Sequence, residues 1–159
     1  MFYINDEYYN RAYIETCFSR FEKDPILNQC ANKRFTVCIQ DAALWIALCL
    51  YMKKNGGSVF PLPTDTPIDA ARQRAIASKS HYLFYSATAE NNKPIETLST
   101  HANDEQAVLI QMSSGTSGEP KIIERSWLSI DEEIAAYIQH FSEANTMTPV
   151  IASPISHSY

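Results

Sequence analysis

The chain has 159 residues, of which 45% are hydrophobic, an ordinary proportion for a globular protein that buries its own core. Its 13 basic and 18 acidic residues give a formal net charge of −5, with no basic run or stripe. This balance argues against a protein that binds nucleic acid or an anionic membrane surface.

Other simple features narrow the class of protein further. The longest apolar stretch, residues 42–52, is too short to span a bilayer, and the N-terminus lacks the basic segment of a secretory signal. The acidic run 131–133 is interpreted as a solvated helix start rather than a metal site. The cysteines form no C-x-x-C pair and the histidines are scattered, so we expect no structural zinc site and a reduced, cytoplasmic protein. These residues are Cys17, Cys30, Cys38, Cys49, His81, His101, His140 and His157.

The first predicted element is a helix from Asp6 to Phe21, because apolar and aromatic residues, beginning with Tyr9, recur there at helical spacing. Asp24, which precedes a proline, ends this helix. Residues 35–40 alternate β-branched and apolar side chains and predict a strand.

The second predicted helix begins after Asp41 as its cap and runs to about Lys53, with Gly56 ending it. Residues 58–60 predict a short buried strand. A third helix is predicted from Thr66 to about Ser78.

Strands and helices continue to alternate in the second half of the chain. Residues 87–105 are polar and predict either a long loop or a weak two-stranded excursion. The remaining predicted elements are strands at 81–85, 107–112, 122–125 and 148–153 and a helix from Ser126 to about Phe141. Strands separated by helices of this length predict an α/β fold with three layers, helix–sheet–helix, and a mostly parallel sheet.

Residues 113–121, Ser-Ser-Gly-Thr-Ser-Gly-Glu-Pro-Lys, form the most distinctive part of the sequence, and we call them the glycine–hydroxyl segment. Gly115 and Gly118 allow close backbone approach, so that successive N–H groups can converge on an anion. Lys121 adds a mobile positive charge suited to phosphate. Hydroxyl donors are present on Ser113, Ser114, Thr116 and Ser117. The composition predicts a phosphate cradle or, as the alternative, a plain hairpin loop.

Two common phosphate-binding loops are excluded for this segment. A Walker A loop requires Ser or Thr after its lysine, but Ile122 follows Lys121. The dinucleotide fingerprint requires three glycines, and Gly115 and Gly118 have no third partner at its spacing. The next helix starts only near Ser126, so the segment is predicted to join two strands without a helix dipole behind it.

Residues 110–121, IQMSSGTSGEPK, resemble the signature of the adenylate-forming superfamily, which includes acyl-CoA synthetases, acyl- and aryl-acid AMP ligases, luciferases and adenylation domains. Ser117 replaces the usual second threonine and keeps its hydroxyl. Residues 54–62, KNGGSVFPL, resemble the family pattern K-x-G-G/A-x-x-x-P-L. Residues 154–159, PISHSY, resemble the start of P-x-x-H-x-Y/F-G. The resemblance thus covers about residues 35–159.

The resemblance implies an ATP-dependent ligase that uses Mg²⁺, joins a carboxylic acid to AMP and releases pyrophosphate. The acyl group would then pass to a thiol of coenzyme A or of carrier-protein phosphopantetheine. Lys121, Thr116 and Ser117 would contact the ATP phosphates, and His157 would lie at the wall of the acid pocket unless it is only a structural residue. Residues 154–159 contain no acid to pair with an α-amino group, which favours an acyl or aryl acid.

Members of this family are much longer than 159 residues, and their later motifs are missing here. We therefore expect residues 1–159 to form a single α/β domain that is an incomplete N-terminal portion of a longer AMP-binding domain, and to be inactive alone. The alternative is a non-catalytic nucleotide-binding or protein-interaction module. An incomplete domain would expose apolar surface, so self-association is also expected.

Overall fold

A computed structural model describes residues 2–86, 95–98, 106–113, 121–141 and 143, with only the backbone of Ser86 and Ser113. Two short antiparallel strands, β1 (Phe2–Ile4) and β2 (Glu7–Tyr9), precede the first helix, α1 (Arg11–Lys23). The helix begins after Asn10, whose side-chain oxygen accepts a hydrogen bond from the backbone N–H of Tyr13 at 3.0 Å. The predicted helix start at Asp6 is therefore wrong.

Ring contacts between β1 and β2 explain this difference. The rings of Phe2 and Tyr9, which are paired across the two strands, stack with their centroids 5.4 Å apart. The rings of Tyr3 and Tyr8 lie 4.9 Å apart. Aromatic cross-strand pairs of this kind stabilise a hairpin, and Asn5 at the turn adopts a left-handed φ of 52° that asparagine tolerates. Tyr9 therefore belongs to a strand although its spacing also fits a helix.

The middle of the chain follows the predicted order. The elements are a 3₁₀ turn (Leu27–Gln29), β3 (Arg34–Ile39), α2 (Ala42–Lys54), β4 (Ser58–Pro61), α3 (Ile68–Ala77) and β5 (Tyr82–Ser86). The predicted cap of α2 is confirmed, because Asp41 Oδ1 accepts a hydrogen bond from the backbone N–H of Leu44 at 2.9 Å. Gly56 ends this helix with a positive φ of 73°.

The last elements complete a six-stranded sheet. They are β6 (Ile95–Thr97), β7 (Val108–Ser113), β8 (Lys121–Ser126) and α4 (Trp127–His140), and the strand order is β6-β5-β3-β4-β7-β8. Strands β5, β3, β4 and β7 are parallel, whereas β6 and β8 pair antiparallel at the two edges. Ser126 caps α4 as predicted. The predicted strand at 148–153 lies outside the described residues.

The core is divided between the two faces of the sheet. Val37 and Phe35 on β3 pack with α1 and α2 on one face. Cys38, the next residue after Val37, packs on the other face with α3, beside Phe60 and Leu83. This alternation along a fully buried strand places helices on both faces. The predicted three-layer α/β fold with a mostly parallel sheet is confirmed.

Helix α4 is amphipathic, but none of its residues, all of which the structure describes, is buried. Its apolar side chains at helical spacing, including Ile134, Tyr137 and Ile138, are exposed to solvent. The neighbouring edge strand β8 also exposes Ile122 and Ile123. The expectation of self-association through exposed apolar surface stays a prediction.

Replacing Gly57 by alanine is expected to lower the free energy of unfolding by about 1–3 kcal/mol, the usual cost of overpacking. A Cβ at this position would lie 2.7 Å from Met52 Sδ and 3.2 Å from the carbonyl oxygen of Cys30. The methionine can move, but the backbone around Cys30 cannot move without disturbing its neighbours. Urea denaturation measures the effect.

The matched control is Gly56→Asn. No heavy atom lies within 4 Å of a Cβ built at Gly56, and asparagine tolerates its positive φ. We expect the free energy of unfolding of this control to fall by less than about 1 kcal/mol. Equal losses for Gly56→Asn and Gly57→Ala would contradict the steric argument.

Candidate functional site

The carboxyl ends of β3, β4, β5 and β7 meet at one edge of the sheet, because these strands are parallel. We call this the carboxyl edge. Ligands of open α/β sheets bind outside this edge, where the chain leaves each strand. Asp41 and the start of α2 follow β3 there. The carboxyl edge is therefore the candidate functional site.

Ser113 and Lys121, the first and last residues of the glycine–hydroxyl segment, lie at the carboxyl end of β7 on this edge. Strands β7 and β8 pair antiparallel from Val108 opposite Ser126 to Ser113 opposite Lys121. The two ends of the segment are thus held side by side at the carboxyl end of β7. Among the described residues after Ser113, the first helix begins at Trp127, six residues after Lys121. The predicted strand–loop–strand arrangement is confirmed at these two ends.

The strand register places Lys121 relative to the centre of the sheet. Ile39 on β3 pairs with Ser86 on β5, and Val59 on β4 pairs with Leu109 on β7. Ser113 lies four residues beyond Leu109 at the end of β7, and Lys121 pairs with it. Lys121 thus lies three strand spacings from β3, about 14 Å across the sheet. An elongated anion lying along the carboxyl edge could therefore reach both the hairpin and the end of β3.

The predicted site residues differ in how far the structure describes them. Lys121 is fully described, and its side chain is exposed to solvent. The backbone of Ser113 is described. Ser114, Gly115, Thr116, Ser117, Gly118 and His157 lie outside the described residues. Their predicted roles stay predictions.

A cavity of about 420 Å³ opens at the carboxyl edge between the β1–β2 turn and the start of α2. Its lining includes the carboxylates of Asp6, Glu7 and Asp41. The Tyr9 hydroxyl donates a hydrogen bond to Glu7 Oε2 at 2.5 Å, and this bond raises the pKa of Tyr9. Because the lining is acidic, the cavity disfavours a phosphate ligand.

This cavity was not predicted, because residues 6–9 were expected to be helical. A usable signal was present. Asn5 and Asp6 are turn-forming residues between two short runs rich in aromatic side chains, a pattern typical of a hairpin.

The cysteines do not form a reactive centre in the described part of the chain. All four are free, and Cys17, Cys30 and Cys38 are buried. Burial raises the pKa of Cys30 to about 11 and that of Cys49 to about 12, so their thiols are protonated and weakly nucleophilic at neutral pH.

The same described residues provide neither a cluster of metal ligands nor a membrane-spanning helix. They contain no group of three or more His, Cys, Asp or Glu side chains that could hold a metal ion. Among them no helix is both long enough and apolar enough to cross a bilayer.

Comparison with known proteins gives relatives in both sequence and fold, although no family model matches the chain. All 159 residues align at 30% identity with 3,4-dihydroxybenzoate–[aryl-carrier protein] ligase of Bacillus anthracis, and they cover 38% of that protein. The structure resembles O-succinylbenzoate coenzyme A synthetase of Bacillus subtilis in complex with AMP, with a TM-score of 0.72 and 15% identity over 98% of this chain and 46% of the other. It also resembles the N-terminal domain of FACL13 from Mycobacterium tuberculosis, with a TM-score of 0.61 and 18% identity over 85% and 42% of the two chains.

These comparisons confirm the resemblance to the N-terminal part of adenylate-forming enzymes. The likeness in sequence comes from the carrier-protein ligase, and the likeness to the two solved structures shows the same fold. The chain spans less than half the length of each of these three proteins.

Proposed function

We propose that this chain, which resembles the N-terminal part of adenylate-forming enzymes, supplies the phosphate-binding hairpin of an ATP-dependent ligase. The ligase would activate a carboxylic acid as acyl-AMP with release of pyrophosphate and then transfer the acyl group to a thiol. One observation supports this most directly. The β7–β8 pairing holds Ser113 and Lys121 opposite each other at the carboxyl edge, and the sequence between these two residues is rich in glycines and hydroxyls.

The chemical difficulty of this reaction is charge repulsion, because a carboxylate must attack a phosphate that already bears negative charge. We propose that Lys121 and the hydroxyls of Thr116 and Ser117 hold the β- and γ-phosphates and stabilise pyrophosphate as it leaves. Gly115 and Gly118 would let backbone N–H groups approach the same oxygens. Mg²⁺ carried by ATP on its phosphate oxygens would neutralise further charge.

The acid and the thiol are proposed from two sources. The sequence relative is named for an aromatic acid and an aryl-carrier protein. Residues 154–159 contain a histidine, His157, and no carboxylate that could pair with an α-amino group. We therefore propose an aryl acid whose carboxylate lies near His157. Carrier-protein phosphopantetheine is the first candidate for the acceptor thiol, and coenzyme A is the second.

The proposal predicts that this chain binds Mg-ATP with millimolar or tighter affinity, which isothermal titration calorimetry measures. Mg-pyrophosphate should compete, because the proposed contacts are to the phosphates rather than to the adenine. Far-ultraviolet circular dichroism checks that the chain is folded under the same conditions. A folded chain that binds neither ligand would contradict the proposal and favour a non-catalytic interaction module.

A further inference from the structure

The β7–β8 hairpin, whose second strand begins at Lys121, has little backbone pairing to the rest of the sheet. β8 is an edge strand whose sheet neighbour is β7. β7 in turn pairs with β4 through a single register pair, Val59 with Leu109, whereas β3 and β5 share five. Side-chain contacts must therefore contribute much of the hairpin's attachment.

An ion pair on the α3 face joins β8 to the central strand. Arg34 Nη1, on the first residue of β3, donates a hydrogen bond to Glu124 Oε1 at 2.8 Å. Glu124 lies on the α3 face because it pairs with Ile110, which is buried in the α3-side core. The pair thus spans the two intervening strands, β4 and β7.

Arg34 is a rigid attachment point. Its side chain is only 11% exposed, and the same Nη1 donates to the carbonyl oxygen of Ser78 at 2.8 Å. Its backbone N–H donates to Nδ1 of the buried His81 at 3.0 Å, which fixes the start of β3. A guanidinium that is nearly buried must keep charged or polar partners, because its desolvation is otherwise costly. Glu124 is thus held toward the centre of the sheet.

Glu124 lies three residues after Lys121 on the same strand, so the two side chains point to opposite faces of the sheet. We propose that Glu124 is a positioning residue for Lys121. By attaching β8 to Arg34, Glu124 fixes the position of the edge strand. The side chain of Lys121 then extends from the sheet at a place that a triphosphate can reach. The role of Lys121 in this inference rests on the proposed function, whereas the attachment of β8 to Arg34 by Glu124 does not.

Glu124→Gln tests the inference, because it removes the charge and preserves the size of the side chain. We expect Mg-ATP affinity to fall about fivefold by calorimetry, within the usual range of coupling between neighbouring groups. In a Lys121→Ala background the same substitution should cause no further loss, since the effect acts through Lys121. An equal loss in both backgrounds, or no loss in either, would overturn the inference.

Glu133→Gln is the matched control. Glu133 forms an ion pair with Arg125, which also lies on β8, but this pair joins β8 to α4 and both partners are substantially exposed. The control should leave Mg-ATP affinity unchanged. If Glu124→Gln does not fold, Arg34→Lys tests the same attachment from the other partner, because lysine keeps the charge and loses the planar fork. It should weaken Mg-ATP binding in the same direction, and unchanged binding would count against the inference.

Hydrogen exchange of the ligand-free chain separates this inference from the proposed function. Amides of residues 122–124 should exchange faster in Glu124→Gln than in the parent chain or in Glu133→Gln. If the parent chain does not bind Mg-ATP while this exchange difference is present, the proposed function fails and the attachment of β8 by Glu124 is upheld. If exchange in Glu124→Gln equals that in the control, the attachment is refuted whether or not Mg-ATP binds.

Discussion

Lys121→Ala is expected to weaken Mg-ATP binding to this chain by about 10- to 100-fold, because a hydrogen bond to a charged group contributes about 1.5–3 kcal/mol. Lys121 begins β8 at the carboxyl edge, and its exposed ammonium group is free to approach a phosphate. Within a complete adenylate-forming ligase, the same substitution should slow pyrophosphate exchange about 100-fold, as expected when one contact to a developing charge is lost. Calorimetry and an exchange assay with labelled pyrophosphate measure the two effects.

Lys23→Ala is the matched control for this experiment. Lys23 is also exposed, but it lies at the end of α1, which leads toward the amino end of β3. Both substitutions remove one positive charge, so a general effect of net charge would appear in both. Similar losses for Lys23→Ala and Lys121→Ala, or an unaffected exchange rate for Lys121→Ala, would remove Lys121 from the proposed mechanism.

The second large effect is expected at alkaline pH, where the free energy of unfolding should fall as pH rises above about 9. Burial raises the pKa of Cys30 to about 11, from an ordinary value of 9.0. Below pH 9 the thiol is protonated in both the folded and the unfolded chain, so its full contribution to stability is present. Between about pH 9 and pH 11 the unfolded chain loses the proton while the folded chain retains it, which costs about 3 kcal/mol over the interval.

Two partly buried groups act in the same direction. Burial raises the pKa of Cys49 to about 12 and also raises the pKa of Tyr13. Urea denaturation at a series of pH values measures the slope. In Cys30→Ala the free energy of unfolding should fall less between pH 9 and pH 11, because the contribution of the Cys30 thiol is absent. At neutral pH the free energy of unfolding of this variant should be lower than that of the parent chain. An identical slope in the parent chain and this variant would show that Cys30 does not titrate as described.

Features that depend on neighbouring residues were predicted correctly from the sequence. Asp41 and Ser126 cap their helices through bonds to backbone N–H groups three residues away. Gly56 ends α2 because it adopts a positive φ that few other residues tolerate. Strands that alternate with helices are joined by crossover connections, and strands joined in this way lie parallel. The alternation therefore predicted a mostly parallel sheet.

The wrong prediction at the N-terminus has a different origin. Tyr9 fits a helical spacing with the apolar residues after it, but it also fits a hairpin with the aromatic residues before it once the turn at Asn5 is recognised. Which pattern forms depends on whether the rings find partners across the strands, and Phe2 supplies one for Tyr9. Spacing within one segment cannot reveal that pairing, because the partner lies in another segment.

The sequence alone determined the chemistry of the glycine–hydroxyl segment, since the residue types in 113–121 decide which donors and charges it can offer. Only the tertiary structure decided where the two ends of that segment lie. The strand order places β7 and β8 at one end of the sheet, with Lys121 at the carboxyl edge. It also brings Arg34 to Glu124 across 90 residues of sequence. Caps and turns follow from bonds between residues that are close in sequence. A contact between residues so far apart in sequence forms only after the sheet has ordered its strands and buried Arg34.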